Sequence, residues 1–293
     1  MAAGPPGTDR QAALSRAASI DFSNEWDDHP ARARRPERRD TRRPAGLARS
    51  VILPVFVINL DRRPDRWAAV SGHLGALGIA CERIRATDAD RVMGAIPDDL
   101  SFSQAACRES HFAALDAFLQ TDAPAALILE DDAELAPGVC GLLASADWWP
   151  PASRVVKLGG GDGPVLLGRP VGRTPGGGEI RPVARASAGA CAYMIDREGA
   201  GIAIGEAPRV GMTVDSFLFH MAGSPAARRL KPAHVVPALA RVRPGQGSDI
   251  CRDLSPHATG PAMRAVFRTG VWLRRLTGQV RRVPVAWCGT RSG

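Results

Sequence analysis

The chain is 293 residues long with a formal net charge of +8, but the charge sits at its ends: residues 1–50 hold ten Arg against seven acids, residues 261–293 hold seven Arg and no acid, and residues 51–260 hold 21 basic against 23 acidic side chains. A middle so near neutrality excludes a polyanion-binding core and leaves electrostatic docking to the ends, with no specific nucleic acid expected as partner. The six cysteines form no CxxC pair and no zinc-type Cys/His spacing, and there is neither an apolar h-region near Met1 nor a run long enough to span a bilayer, so we expect reduced, buried thiols in a reducing cytoplasm.

Residues 1–50 mix Arg, Asp, Pro and small residues without sustained periodicity and include an Arg-rich run from Arg32 to Arg43, which predicts a disordered tail. Val51 to Leu60 is almost continuously apolar and rich in β-branched residues, the pattern of a strand covered on both faces. Pro54 lacks an N–H, so pairing should begin just after it. The polar break Asp61-Arg62-Arg63-Pro64-Asp65-Arg66 leads into Trp67, Val70, Leu74 and Leu77 at helical spacing, ending at Gly78. Ala80 to Arg85 alternates weakly, as a second strand. Ser103 is placed to cap a helix with Cys107, His111, Leu115 and Phe118 on one face, and Pro124 ends it.

The apolar run Ala125 to Leu129 then delivers Glu130, Asp131 and Asp132 at its carboxyl end, where open α/β sheets bind ligands. Val155 to Leu158 reads as a strand entering Gly159-Gly160-Gly161-Asp162-Gly163. Residues 170–188, rich in Gly, Pro and Arg, read as a long surface loop near the site. Ala190 to Ile195 suits a strand, Arg197 to Ile204 a helix, and Val214 to Met221 is amphipathic. Strands alternating with helices predict an α/β fold, a mainly parallel central sheet flanked by helices, in one domain over residues 51–260.

Three adjacent acids concentrate negative charge, which is unfavourable unless solvent, a cation or a base relieves it. Hard oxygen donors of this kind suit Mg²⁺ or Mn²⁺, and the same triplet also fits a solvated acidic turn. Arg62, Arg63 and Arg66 fit either phosphate contacts or a solvated face. His111 on an apolar helix face fits either a satisfied core residue or a catalytic one. The glycine run from Gly159 is not a phosphate-loop pattern; it allows a sugar to approach the backbone or forms a flexible turn.

The order and approximate spacing of Asn59-Leu60-Asp61-Arg62-Arg63-Pro64-Asp65-Arg66, Cys107-Arg108-Glu109-Ser110-His111 and Ile128-Leu129-Glu130-Asp131-Asp132 resemble glycosyltransferase family 25, which includes bacterial lipooligosaccharide galactosyltransferases. Gly189-Ala190-Cys191-Ala192-Tyr193-Met194-Ile195 before a helix containing Gly199-Ala200, and Val214-Asp215 before an apolar segment, also fit. The resemblance spans roughly residues 53–240. It implies a GT-A-like fold, a UDP-sugar donor, a metal at the acidic cluster and transfer with inversion. Carried across, Asp132 contacts the metal, Glu130 sits at the metal or the donor ribose, and Asp131 points back to orient its neighbours. Asp61 and Arg62 lie where the nucleotide would bind, and Arg66 reaches phosphate. His111 shapes the donor site. Asp215 matches the later acidic position and serves as general base or, alternatively, as a helix cap. Gln104-Ala105-Ala106 stands where the family commonly has an acid followed by a small or apolar pair.

The expectation is therefore a cytoplasmic hexosyltransferase moving galactose or glucose from UDP to a glycan or lipid-linked saccharide of the cell envelope. Its alternative is a sugar- or nucleotide-binding module of the same fold without turnover. From Met263 to Arg282 apolar residues interleave with Arg, so residues 261–293 read as a basic amphipathic tail able to lie on an anionic membrane at the inner face, or as a docking helix that closes the core.

Overall fold

A computed structural model of the chain describes residues 53–92, 100–159, 164–185, 188–207, 211–245 and 274–289. The chain divides into residues 1–48 and 49–293, and all described residues belong to the second unit. The tail expected over residues 1–50 lies outside the described residues, as do Gly160 to Gly163 and residues 246–273.

In chain order the elements begin with β1 (Val55–Asn59), α1 (Pro64–Ala76), β2 (Glu82–Arg85) and a single 3₁₀ turn (Ala89–Arg91). There follow α2 (Phe102–Leu119), β3 (Ala125–Glu130), β4 (Ala133–Leu135), α3 (Val139–Leu143), β5 (Val155–Lys157), β6 (Pro164–Gly168), β7 (Gly172–Arg173) and β8 (Glu179–Arg185). The chain continues through β9 (Ala192–Asp196), α4 (Arg197–Glu206), α5 (Val214–Phe219), α6 (Pro225–Leu230), β10 (Ala233–Val236), β11 (Ala240–Val242) and β12 (Val280–Pro284).

Among the described residues ten strands form one sheet, in the order β12-β6-β8-β10-β5-β9-β3-β1-β2, with β7 paired to β8. The α/β class with a central sheet flanked by helices is as the sequence pattern indicates. The sheet is mixed: β1 runs parallel to β2 and β3, and β10 to β5, but β9 lies antiparallel between β3 and β5. Strands β6, β8 and β12 add a further antiparallel block.

Side-chain alternation explains why β1 and β3 read as unbroken apolar runs. Val55, Val57, Leu127 and Leu129 enter one core with Val70 and Leu74 of α1 and Val139 and Leu142 of α3. Phe56, Ile58, Ala126 and Ile128 enter the opposite core with Leu115 and Phe118 of α2, Ala203 of α4 and Phe217 of α5. Both faces of each strand are covered, and every fully buried Leu or Ile contributes about 2 kcal/mol of transfer free energy. The two cores hold β3 rigid, and with it the acids at its end.

Three sequence expectations are corrected. Helix α2 starts at Phe102, and its cap is Ser101, not Ser103: the Ser101 hydroxyl accepts from the Gln104 N–H at 3.2 Å while the Gln104 side chain accepts from the Ser101 N–H at 2.9 Å. This reciprocal box accepts Glu or Gln at its third helical position, so Gln104 in place of an acid keeps the local hydrogen bond. Residues 170–188 are no loop in their middle part, because β8 pairs with both β10 and β6. Its Pro and Arg concealed this. The Val183 N–H donates to the Pro232 carbonyl, and buried Arg181 is neutralised by Glu179 and donates to the Gly168 carbonyl. Finally, residues 280–284 are an edge strand paired antiparallel with β6, not part of a helix. The chain beyond β12 stays attached through Ala238, which exchanges backbone hydrogen bonds with Ala286 and Cys288.

Candidate functional site

A cleft opens where β1 and β3 end, walled by α2 on one side and by the segment after β2 on the other. Among its lining residues are Arg62, Asp88, Cys107, His111, Glu130 and Asp132. The period of two that sorts the core also sorts the acids. Glu130 continues the phase of Ile128 toward α2, and Asp131 continues the phase of Leu129 toward α1.

Asp131 is buried at 6% exposure and fully engaged. Its Oδ2 accepts from Asn59 Nδ2 at 2.7 Å, and its Oδ1 accepts from Arg66 at 3.1 Å. Asn59 is itself fixed, donating to the Arg63 carbonyl and accepting from Arg83 Nε at 2.8 Å. The expectation that Asp131 turns back to orient its neighbours fits this geometry. The same bonds place Arg66, only 4% exposed, in a buried ion pair at the wall of the cleft.

Glu130 meets α2. Its Oε1 lies 3.2 Å from His111 Nε2, and His111 Nδ1 lies 3.1 Å from the Tyr193 hydroxyl on β9, with the two rings stacked. Cys107, one helical turn before His111, brings a third donor, and the Cys107, His111 and Glu130 donor atoms lie within 4.8 Å of one another. Ser110, the neighbour of His111, is a structural tie: its hydroxyl donates to the Ala106 carbonyl and accepts from the Thr87 N–H.

Asp132 is different again. Its Oδ1 is buried with no hydrogen-bond partner among the described residues. Burial, then the charges of Glu130 and Asp131, push its carboxyl up to about 7, against a smaller pull from Arg66. Such a carboxylate next to a second one suits a hard divalent cation, which Asp132 and Glu130 could hold. The backbone past Asp132 is secured, because its carbonyl accepts from the Arg243 N–H at 2.7 Å and β4 pairs with β11 directly after it.

The rim carries Arg62, partly exposed and paired with Asp88. Asp61 is not among the lining residues; it pairs with Arg83 and Arg85 of β2. Asp215 belongs to the same electrostatic neighbourhood. Burial raises the Cys107 thiol well above its usual range, and the charges of Glu130, Asp215 and Asp132 add to the rise. The Asp215 oxygens accept from the N–H groups of Gly189 at 3.0 Å and Ser216 at 2.9 Å. Burial alone would push its carboxyl up, but these bonds, the Thr213 hydroxyl and the charge of Lys157 hold it below the usual value. Asp215 is therefore an ionised carboxylate inside the first turn of α5, whose cap position is Thr213.

Sequence reasoning passed over Lys157. It is fully buried, donates to the Ala188 carbonyl at 3.0 Å and lies 4.9 Å from the Phe219 ring centre. Burial pushes its ammonium down to about 8, opposed by Cys191, Asp215 and Glu130. The available signal was a lysine inside an apolar strand in a chain whose positive charge is otherwise almost all Arg. Tyr193, the only tyrosine, lies in the stretch from Gly189 to Ile195, where nothing in the sequence signals its contact with His111.

Carboxylates at the end of a central strand, lining a cleft of an α/β domain, are the equipment of an enzyme. Residues 52–147 match the model of glycosyltransferase family 25, described as an LPS biosynthesis protein. The match covers about a third of the chain and includes α1, α2 and the acidic triplet, so the resemblance drawn from the ordered motifs is borne out there. It supports glycosyltransferase activity in lipopolysaccharide biosynthesis. The later stretches around Tyr193, Gly199 and Asp215 lie beyond the matched residues. A comparison with curated proteins gave no match.

Proposed function

We propose that this chain moves a hexose, galactose or glucose, from a UDP-sugar to a hydroxyl of a lipopolysaccharide or related envelope glycan, with inversion and with Mn²⁺ or Mg²⁺ held by Asp132 and Glu130. The observation that carries the reading is the buried Asp132 oxygen, without a hydrogen-bond partner among the described residues, beside two further carboxylates at the end of β3. A hard divalent cation there would neutralise charge on the departing nucleoside diphosphate. Asp131, locked by Asn59 and Arg66, keeps the neighbouring carboxylates aimed at the cleft. Arg62 at the rim is placed for diphosphate oxygens, and His111 fixes the Glu130 carboxylate from the α2 side. Asp215 is the general base: as the acceptor oxygen bonds the anomeric carbon and the bond to diphosphate breaks, the hydroxyl proton passes to this carboxylate.

The proposal extends to a GT-A-like arrangement and to a cytoplasmic enzyme resting on the inner membrane face. Exposed Arg275, Arg281 and Arg282 near the edge strand support that docking. A panel of UDP-sugars tested for metal-dependent release of UDP is the decisive assay. One UDP-hexose should be turned over, and Asp132→Ala should remove that turnover. Near-normal transfer by Asp132→Ala rejects the metal assignment, and UDP binding without any release across donors and acceptors favours a binding module. Asp215→Asn should keep donor affinity and slow transfer by about 10²-fold or more.

A further inference from the structure

Beside the hard-oxygen site at Asp132 lies a group of different chemistry. Cys107 and His111 stand one turn apart on the same face of α2, and Glu130 closes the group from the end of β3. The three belong to two rigid elements packed into one core, so their proximity is imposed by the fold, not by a loop. One sulfur, one imidazole nitrogen and one carboxylate oxygen make a mixed donor set that suits Zn²⁺ and similar borderline cations better than Mg²⁺ or Mn²⁺.

The spacing agrees with that chemistry. Tetrahedral zinc with bonds of about 2.0 Å to nitrogen and oxygen sets those atoms roughly 3.3 Å apart. His111 Nε2 and Glu130 Oε1 stand 3.2 Å apart. No donor pair in the group exceeds 4.8 Å, so closing on a cation takes a side-chain adjustment of about 1 Å at the thiol end. An outer support is also present. The Tyr193 hydroxyl, fully buried on β9, holds His111 Nδ1, which orients the ring and can fix the tautomer that leaves Nε2 free to ligate. All three donors line the cleft, so a fourth coordination position would face its interior, the pattern of a zinc site with three protein ligands and one open position.

We infer that Cys107, His111 and Glu130 form a binding site for a zinc-class divalent cation, distinct from the Asp132 position and sharing Glu130 with it. On binding, the Cys107 thiol releases its proton to solvent and ligates as thiolate. The site ties α2 to the strand that carries the acids, and it does not depend on the donor or acceptor of the transferase reading.

Titration of the full-length, metal-free protein with Co²⁺ tests this without any activity assay. A thiolate-to-cobalt charge-transfer band should appear at one equivalent, vanish in Cys107→Ser and persist in Asp132→Asn and Cys81→Ser. A wild-type protein without the band, or a band that survives Cys107→Ser, overturns the inference. X-ray absorption of the zinc-loaded wild type needs no variant and should show one sulfur scatterer among nitrogen and oxygen. A shell of light atoms alone also overturns it. A wild-type protein that shows the band yet turns over no UDP-sugar would sink the functional reading and leave this site standing.

Discussion

Asp131 and Asp132 are one position apart in sequence and opposite in circumstance. Asp131 faces α1 and is consumed by Asn59 and Arg66, whereas Asp132 keeps a buried oxygen with no hydrogen-bond partner among the described residues. Replacing Asp131 by Ala leaves the Arg66 charge buried without its carboxylate and should cost about 3 kcal/mol, read as a drop in the denaturant midpoint. Asp132 should behave in the reverse sense. Its folded value near 7 stands above the unfolded value of about 3.9, so the folded state binds the extra proton between those limits, and stability falls as pH rises through that window. In metal-free protein, Asp132→Asn should therefore raise the melting temperature at pH 8, by stabilisation on the order of 2 kcal/mol, and change little near pH 4. Equal effects at both pH values would contradict the assigned cause. Buried His234, pushed down to about 3 chiefly by burial and secondarily by Lys157, has the complementary effect. Stability it permits near neutrality is lost as pH falls below the unfolded value of about 6.5.

At the scale of elements, the start of α2 and the end of β5 show how local chemistry fixes the walls of the cleft. The Ser101 and Gln104 box sets where α2 begins, and so sets the rotation that aims Cys107 and His111 at Glu130. Gln104→Glu should be nearly neutral, because either side chain closes the box, while Gln104→Ala should lower stability by roughly 0.5–1 kcal/mol in thermal melts. Gly159 was open to reading as a sugar-facing backbone or a turn. A Cβ built there would fall 1.8 Å from the Ala240 carbonyl oxygen, so the glycine exists because β5's extension and the chain entering β11 run in contact. Gly159→Ala should cost about 3 kcal/mol or prevent folding, and a variant of unchanged stability would refute this close approach.

For the molecule as a whole, the sheet extends to a strand near the end of the chain. Val283 packs with Val165, Leu167 and Val183 in a small apolar cluster. Val283→Asp should destabilise by about 3 kcal/mol, since it buries a charge with no partner in that cluster. A solvated tail would tolerate the change, which makes the denaturation midpoint decisive. The sheet takes in residues 280–284, beyond the boundary expected at residue 260, and the sequence conceals this for a physical reason. The sequence Val280-Arg281-Arg282-Val283 has its valines three apart, which satisfies a helical face, yet as a strand only Val280 and Val283 are buried while both arginines face solvent. A short segment with two apolar anchors takes whichever conformation its neighbour offers, and here β6 offers an open edge.

Apolar runs written in the sequence determined β1, β3 and β9, and the position of the acids at the end of β3 followed from them, because burial on both faces leaves no other arrangement for so many β-branched and leucine residues. The ordered motifs also pointed to the family that residues 52–147 match. Tertiary structure alone decided that β9 runs antiparallel, that Pro- and Arg-rich β8 lies inside the sheet, and that Lys157 and Tyr193 stand behind the site. Those outcomes turn on pairing between segments far apart in the chain and on which buried charges find partners, and neither is carried by local periodicity.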